Sequence, residues 1–328
     1  MTFDPTRVRT PHKHPELVIE PSFREGDFFS HGVDCPFVFH HEGRLGMTMI
    51  GWDGIGYQTG LSWFDDGAWS MPELVFARDP ASRHRRYNSA LTSILRDNDL
   101  RGSGELTRID GWFYGTYHAY PAPGYESGPG VIGIARSRDL VSWEEFSTPL
   151  LASDGAEWER GGLYKSWLMR DGDRFLLFYN AKDDRPRAWQ EQTGAAVSSD
   201  MAAWERIPGP LVPNGVEGAI DDRFASDPCV LRDGDTWVMF YFGLSSDGRA
   251  RETYATSPDL VTWTRSEHVL VDVGEPGTVD SAYAHKPAVI THDGRLEHYY
   301  CAVAVMPEPV MIGDFRQRER RGIAVARS

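Results

Sequence analysis

Residues 227–243 read DPCVLRDGDTWVMFYFG: a short apolar run, an Asp-Gly pair, then a second run rich in aromatic and β-branched side chains. Asp-Gly supplies the positive φ that a tight hairpin turn needs, and the flanking residue types favour a pleated, half-buried surface. The stretch is therefore a β-hairpin. Four more copies surround it: CPFVFHHEGRLGMTMIGW from Cys35, GELTRIDGWFYGTYHAY from Gly104, SWLMRDGDRFLLFYNA from Ser166 and KPAVITHDGRLEHYYCAV from Lys286. Their turn glycines, Gly43, Gly111, Gly172, Gly234 and Gly294, lie 68, 61, 62 and 60 residues apart. So regular a period marks a repeat architecture. Asp110, Asp171, Asp233 and Asp293, one residue before four of these glycines, are turn residues on this reading.

A second element follows three of the hairpins. IGIARSRDLVSW, GAAVSSDMAAW and TYATSPDLVTW end at Trp143, Trp204 and Trp263. Each is a strand of small residues, then Ser-x-Asp, then Trp four positions after the Asp. Asp139, Asp200 and Asp259 are placed to accept backbone amides of the turn while each Trp packs back on the sheet. An outer strand, near Leu150 or Val269, completes the unit. Four short antiparallel strands at a period near 60 residues describe a propeller blade. The fold predicted for residues 1–328 is thus all-β: one domain, a five-bladed β-propeller of four-stranded antiparallel blades. The last copy, GIAVARS at 322–328, stops after its third strand, so the N-terminal run Glu16–Glu20 (ELVIE) is expected to close the ring and cover an exposed edge.

Composition narrows the function classes. Hydrophobic residues at 41% and charged residues at 25% fit a globular chain with a real core. The balance of 34 basic and 48 acidic residues gives a net charge of −14, which argues against nucleic acid or an anionic membrane surface as partner. Cys35, Cys229 and Cys301 are far apart in strand-like runs and read as reduced core residues. The first 21 residues hold no apolar signal segment and no later stretch reaches the ~18 apolar residues of a membrane span, so the expected location is cytoplasmic.

In a propeller the first strand of each blade lines the central channel, and the residues that lead into it converge at one mouth. On this pattern those residues are Asp34, Glu105, Lys165, Asp227 and His285 with Lys286. Convergent carboxylates suit cleavage of a glycosidic bond, where one protonated acid serves the leaving oxygen and one ionised group attacks or activates water. Trp52, Tyr57, His118, Trp158 and Trp167 offer flat faces and polar edges for a sugar. Three segments without a repeat counterpart add candidates: Asp97 and Asn98 in an arginine-rich insertion at 77–104, Glu159 in GAEWERGG, and Asp222 in DDRFASDP. No nucleotide, P-loop or metal-ligand motif is present, so no cofactor is expected to be required.

The blade pattern, the Ser-x-Asp-Leu-x-x-Trp third strands and SDPCVLRDGDTWVMFY resemble the five-bladed propeller glycosidases, glycoside hydrolase families 32, 43, 68 and 130. The resemblance covers essentially the whole chain. It implies Asp34, in HGVDCP, as base or nucleophile. Lys165 stands where families 32 and 43 place an Asp, and Asp227 where they place a Glu acid. The stretch IDGWFYGTYHAY is similar to family 130 near its proton donor, where Glu105 is the nearest carboxylate. The acid candidates are accordingly Glu105, Asp227 and Glu159, in that order. A calcium or sodium ion on the axis near His285 is a further candidate implied by the resemblance.

Three functional readings follow. The first is a glycosidase acting on a small oligosaccharide, furanosides included. The second is a family-130-like phosphorylase in which phosphate, held by Arg85, Arg86, Lys165 or Lys286, replaces water. The third is a carbohydrate-binding propeller without catalysis. A sialidase fits less well: its Asp boxes carry a Gly missing here, and its six blades exceed five repeats.

Overall fold

The computed structural model describes residues 3–146, 151–183, 185 and 189–328. Among the described residues the chain is all-β apart from two short 3-10 turns, Pro5–Val8 and Glu157–Glu159. Among the described residues, no helix is long and apolar enough to cross a membrane.

Strands pair in antiparallel sets that follow the repeat. Gly32–His41, Arg44–Trp52 and Tyr57–Asp65 form the first. Leu163–Asp171, Arg174–Asp183, Gln190–Ser198 and Glu205–Val212 form another, and Phe224–Asp233, Thr236–Leu244, Ala250–Ser257 and Thr264–Arg265 the next. In the last, Tyr283–His292 and Arg295–Ile312 meet Phe315–Arg327. First strands pack on one another in sequence, and Tyr283–His292 packs back on Gly32–His41. The N-terminal segment lies along the final strand: His12–Lys13 pairs with Ala326–Arg327, and the Val18 amide donates to the Ile323 carbonyl at 2.7 Å. This strap starts four residues before the expected Glu16–Glu20. Of the outer strand expected near Leu150, residues 147–150 lie outside the described residues and Leu151 bridges Ile132; beside the one expected near Val269, Val271 bridges Glu252.

The second set departs from the sequence reading. Its first strand is Ala90–Ile94, which pairs with Trp112–Ala119, and Val131–Ser137 and Trp143–Glu145 follow. Residues 77–104, read as an insertion, therefore contain the inner strand of this set. The Thr92-Ser93 pair inside ALTSI disguised it, because both hydroxyls bond inward, to Ser166 and Thr116, rather than to solvent.

Turn chemistry matches the residues. Glu42-Gly43, Asp110-Gly111 and Asp293-Gly294 have positive φ at both positions, as a type I′ turn requires. At the other two hairpins the turn shifts by one residue: Gly172 and Gly234 take the first central position, so Asp171 and Asp233 end their strands. In the third strands, Asp139 accepts the Val141 and Ser142 amides at 3.0 and 2.7 Å, and the Trp143 indole donates to the Leu140 carbonyl at 2.9 Å. The same pattern recurs at Asp200 with Trp204 and at Asp259 with Trp263. The three cysteines are free and buried.

Candidate active site

Each first strand carries the same irregularity. The ladder slips between Asp34 and Phe37, Leu91 and Ser93, Tyr164 and Ser166, Ser226 and Cys229, and His285 and Ala288. At four of these bulges a non-glycine residue has positive φ: Cys35 (46°), Lys165 (28°), Asp227 (61°) and Lys286 (65°). A bulge re-aims a side chain and bends its strand, and such backbone costs of order 1–3 kcal/mol per residue. Four strained residues at one level of the packed first strands put Asp227, Lys165 and Lys286, with the neighbouring Asp34 and His285, at the centre of the molecule.

Asp34 is buried there. Its Oδ2 accepts from Lys286 Nζ at 2.9 Å and from Arg321 Nη1 at 3.2 Å, and its Oδ1 accepts from the Cys35 amide at 2.8 Å. Burial pushes its pKa up, but the Lys286 and Arg321 charges outweigh that and hold the carboxyl well below the usual range. His285 donates from Nδ1 to the Cys301 carbonyl, leaving Nε2 to accept from Arg321 at 3.3 Å. Burial brings this imidazole down to about 3, so it is neutral. Ligand atoms of Asp34, His285 and Cys301 lie within 4.8 Å of one another. Lys286 and Arg321 already occupy the carboxylate, however, and a calcium or sodium ion would face both charges; the residues do not fit the axial cation.

Above this ion cluster lies a cavity of about 180 Å³, walled by aromatic side chains such as Tyr125, Trp189 and Phe242 and holding the carboxylates Glu126, Glu191 and Asp227. Asp227 takes a hydrogen bond from Asn180 on Oδ1, while its buried Oδ2 has no partner among the described residues. Burial raises it to about 6, against the pull of Lys286 and Lys165. Glu191 accepts from Ser226 Oγ at 2.8 Å and from the Trp189 indole at 3.1 Å. Burial, then Glu126, then Asp227 push it up to about 7. Ser226, which accepts from Asn180 and stands 3.4 Å from Asp227 Oδ1, joins the two carboxylates into one network. Lys165 also reaches the centre: its buried Nζ has no partner among the described residues, and its amide donates to His118 Nδ1 at 3.2 Å. Tyr57 lies beside His118 and Tyr125, and Trp52 beside Tyr57 and Tyr125.

Several sequence candidates are elsewhere. Glu105 bridges beside His40, at the other end of the strand from Asp34, about 20 Å away at 3.3 Å per residue. It accepts the Glu42 amide at 3.0 Å, and Asp97 and Asn98 share that remote loop, capping Ser103 and Arg96. The misplacement follows directly from missing the inner strand Ala90–Ile94. Glu159 is buried against Arg206 (3.1 Å) and the Tyr179 hydroxyl (3.0 Å), a structural ion pair. Trp158 stacks on Tyr179, Trp167 is enclosed between Phe37 and Arg96, and Asp222 pins its own loop through Gly218 and Ser246. Glu105→Gln is therefore expected to leave turnover unchanged within about twofold, measured as kcat/KM.

Glu191, Glu126 and Arg321 are absent from the sequence candidates. Glu191 and Arg321 occupy one repeat position, seven residues before the serine that ends each third strand (Ser198 and Ser328), and Ala250 holds it before Ser257. All three line the cavity. A charged residue at that position, where a third strand otherwise carries small side chains, was the available signal.

The scaffold is all-β among the described residues, and its strained bulges crowd carboxylates into an aromatic-walled pocket. Residues 98–279, more than half of the chain, match the model of the glycosyl hydrolases family 32 N-terminal domain, and the chain belongs to that family. A solved structure of a glycoside hydrolase is 30% identical, with a TM-score of 0.82 over 99% of this chain and 93% of the other. A solved complex of BT0996 with RGII is also 30% identical, with a TM-score of 0.81 at the same coverage. A 1,2-beta-oligomannan phosphorylase from Thermoanaerobacter sp. (strain X514) is 30% identical over 138 residues, 40% of this chain and 44% of its own length. The chain spans about half the length of the curated relatives it matches.

Proposed function

We propose that the protein is a glycosidase that cleaves a glycosidic bond of a small oligosaccharide, with furanosides among its substrates, and that its scaffold is a single domain of five blades closed by the N-terminal strap. The observation that carries the activity is the pair Glu191 and Asp227, joined through Ser226 in one aromatic-walled cavity. Burial raises both carboxyls, but Glu126 and Asp227 push Glu191 further up while Lys286 and Lys165 pull Asp227 back, which favours Glu191 as the group that keeps its proton. Glu191, the higher at about 7, is the general acid that protonates the leaving oxygen. Asp227, at about 6 and with Oδ2 free, is the ionised partner that attacks the anomeric carbon or activates water. Asp34 is locked to Lys286 and Arg321 and positions those cations rather than reacting. Support from outside the chain is the family match and the solved glycoside hydrolase.

The pair sets a pH optimum. kcat/KM is expected to rise through about pH 6 as Asp227 ionises and to fall above about pH 7 as Glu191 loses its proton. A pH–rate profile with both limbs below pH 5 contradicts the assignment. Ser226→Ala gives a second check. The serine hydroxyl donates to the Glu191 carboxylate and so favours its charged form. Its loss raises the Glu191 pKa and is expected to move the alkaline limb upward by on the order of half to one unit. An unchanged or lowered limb opposes this role for the serine.

A phosphorylase is the second reading, supported by the similarity to the oligomannan phosphorylase and by the unpartnered Lys165 ammonium at the centre. Arg85 no longer contributes to it, because its guanidinium is engaged by the Ala77 carbonyl, Ser89 and Glu145. Aryl glycosides and oligosaccharides assayed with and without inorganic phosphate, with products followed by NMR, separate the readings. A sugar phosphate among the products supports the second; phosphate-independent release of free sugar supports the first.

A further inference from the structure

A larger cavity, about 490 Å³, opens beside the carboxylate pocket, and Tyr125 and Arg321 belong to the walls of both. Its outer wall is part of the strand Phe315–Arg327, where the pairing with Arg295–Ile312 slips between Val305 and Val310. That wall brings Arg316, Arg318 and Arg321 to the cavity against a single carboxylate, Glu319. Arg321 is committed to Asp34 and Glu319. Arg316 and Arg318 are exposed and have no ion pair among the described residues. Trp52, partly exposed, borders the opposite side, and its ring meets Tyr125 edge-on at 5.7 Å.

The charge of this wall is opposite in sign to that of the chain as a whole, whose net charge is −14. Solvated surface arginines would need no concave site, no adjoining aromatic face and no continuity with the carboxylate pocket. Guanidinium forks match planar or tetrahedral oxyanions in two-point contacts, and a flat ring beside them suits a sugar face.

We propose that this second cavity is the leaving-group subsite, and that it takes a sugar residue bearing an anionic group, a carboxylate or a sulfate ester. The sugar face lies on Trp52, the anion meets Arg316 and Arg318, and the bond to be cleaved lies at the edge marked by Tyr125 and Arg321. The placement of a leaving group rests on the glycosidase reading; the anion preference does not.

The test has a binding arm and a turnover arm. Digalacturonate, a sulfated galactobiose and galactobiose itself are titrated by calorimetry into the full chain and into Arg316→Gln/Arg318→Gln. Either anionic sugar is expected to bind at least about tenfold more tightly than galactobiose at low salt, and to lose that advantage in the variant and near 0.5 M salt, roughly where screening becomes short-ranged. Preference for one anionic sugar alone identifies which oxyanion the site takes. Turnover of a neutral aryl glycoside by the unmodified chain is followed in parallel, as the separate readout of the glycosidase reading. Equal binding of all three sugars, or a preference that survives in the variant, overturns the proposal. Arginine-dependent binding without any glycoside turnover would leave the subsite standing and remove the glycosidase reading; turnover without anion preference would do the reverse.

Discussion

Glu191→Gln is expected to slow cleavage of an alkyl glycoside or oligosaccharide by roughly 10²–10⁴-fold, the range that a positioned general acid contributes, while a dinitrophenyl glycoside keeps most of its rate. A leaving group that departs as a stable anion needs no proton, so the two substrates isolate the acid role. The amide oxygen can still accept from the Trp189 indole while the amide NH2 donates to Ser226 Oγ, whose own proton can turn to Asp227 Oδ1, so the variant is expected to fold. The alkaline limb of the pH profile should disappear with the carboxyl group, because burial and the Glu126 and Asp227 charges are what place that limb near 7. Equal losses on both substrates, measured as kcat, would assign Glu191 to another step.

Lys286→Met is expected to reduce stability at neutral pH by about 3–5 kcal/mol, the usual consequence of stripping a partner from a buried charge, with Arg321 keeping the loss toward the lower end. The pH dependence follows from the direction of the Asp34 shift. A carboxyl held below its unfolded value contributes stability that is present above about pH 4 and is lost as pH falls toward its folded pKa. Without Lys286 the depression shrinks, so the variant loses most of that contribution. Urea denaturation at several pH values should show the widest gap between wild type and variant above pH 4, narrowing in acid. A constant gap would mean that packing of the lysine stem, rather than its charge, is what the fold uses.

The parts of the fold legible in the sequence were those with a strong local signal. Gly43, Gly111 and Gly294 sit in turns that demand positive φ, and the Ser-x-Asp…Trp segments fold on themselves through contacts within a few residues. The inner strand Ala90–Ile94 had no such signal. Its Thr92 and Ser93 hydroxyls are satisfied inside the fold, by Ser166 and Thr116, a tertiary arrangement that the Thr-Ser pair does not announce, and taking residues 104–109 in its place carried Glu105, Asp97 and Asn98 to the wrong end of the molecule. Asp34, Asp227, Lys165 and His285 were found because bulges at the first strands follow the repeat. Glu159, Trp158 and Trp167 were misread for the opposite reason: a buried ion pair, a stacked ring and an enclosed ring look the same in sequence as a sugar site. Glu191 carries no signal of the first-strand kind: it sits on a third strand, Gln190–Ser198, which leads to the same cavity.

The proposed pair, Glu191 and Asp227, works in one step on one bond. The measurement that probes it most directly is kcat/KM for Glu191→Gln, Asp227→Asn and the double variant on a single oligosaccharide identified by the substrate screen. Groups that act as a unit are non-additive, so the double variant should be no more than a few-fold slower than the worse single one. Losses that multiply, or an Asp227→Asn protein with wild-type turnover, would contradict a shared catalytic pair.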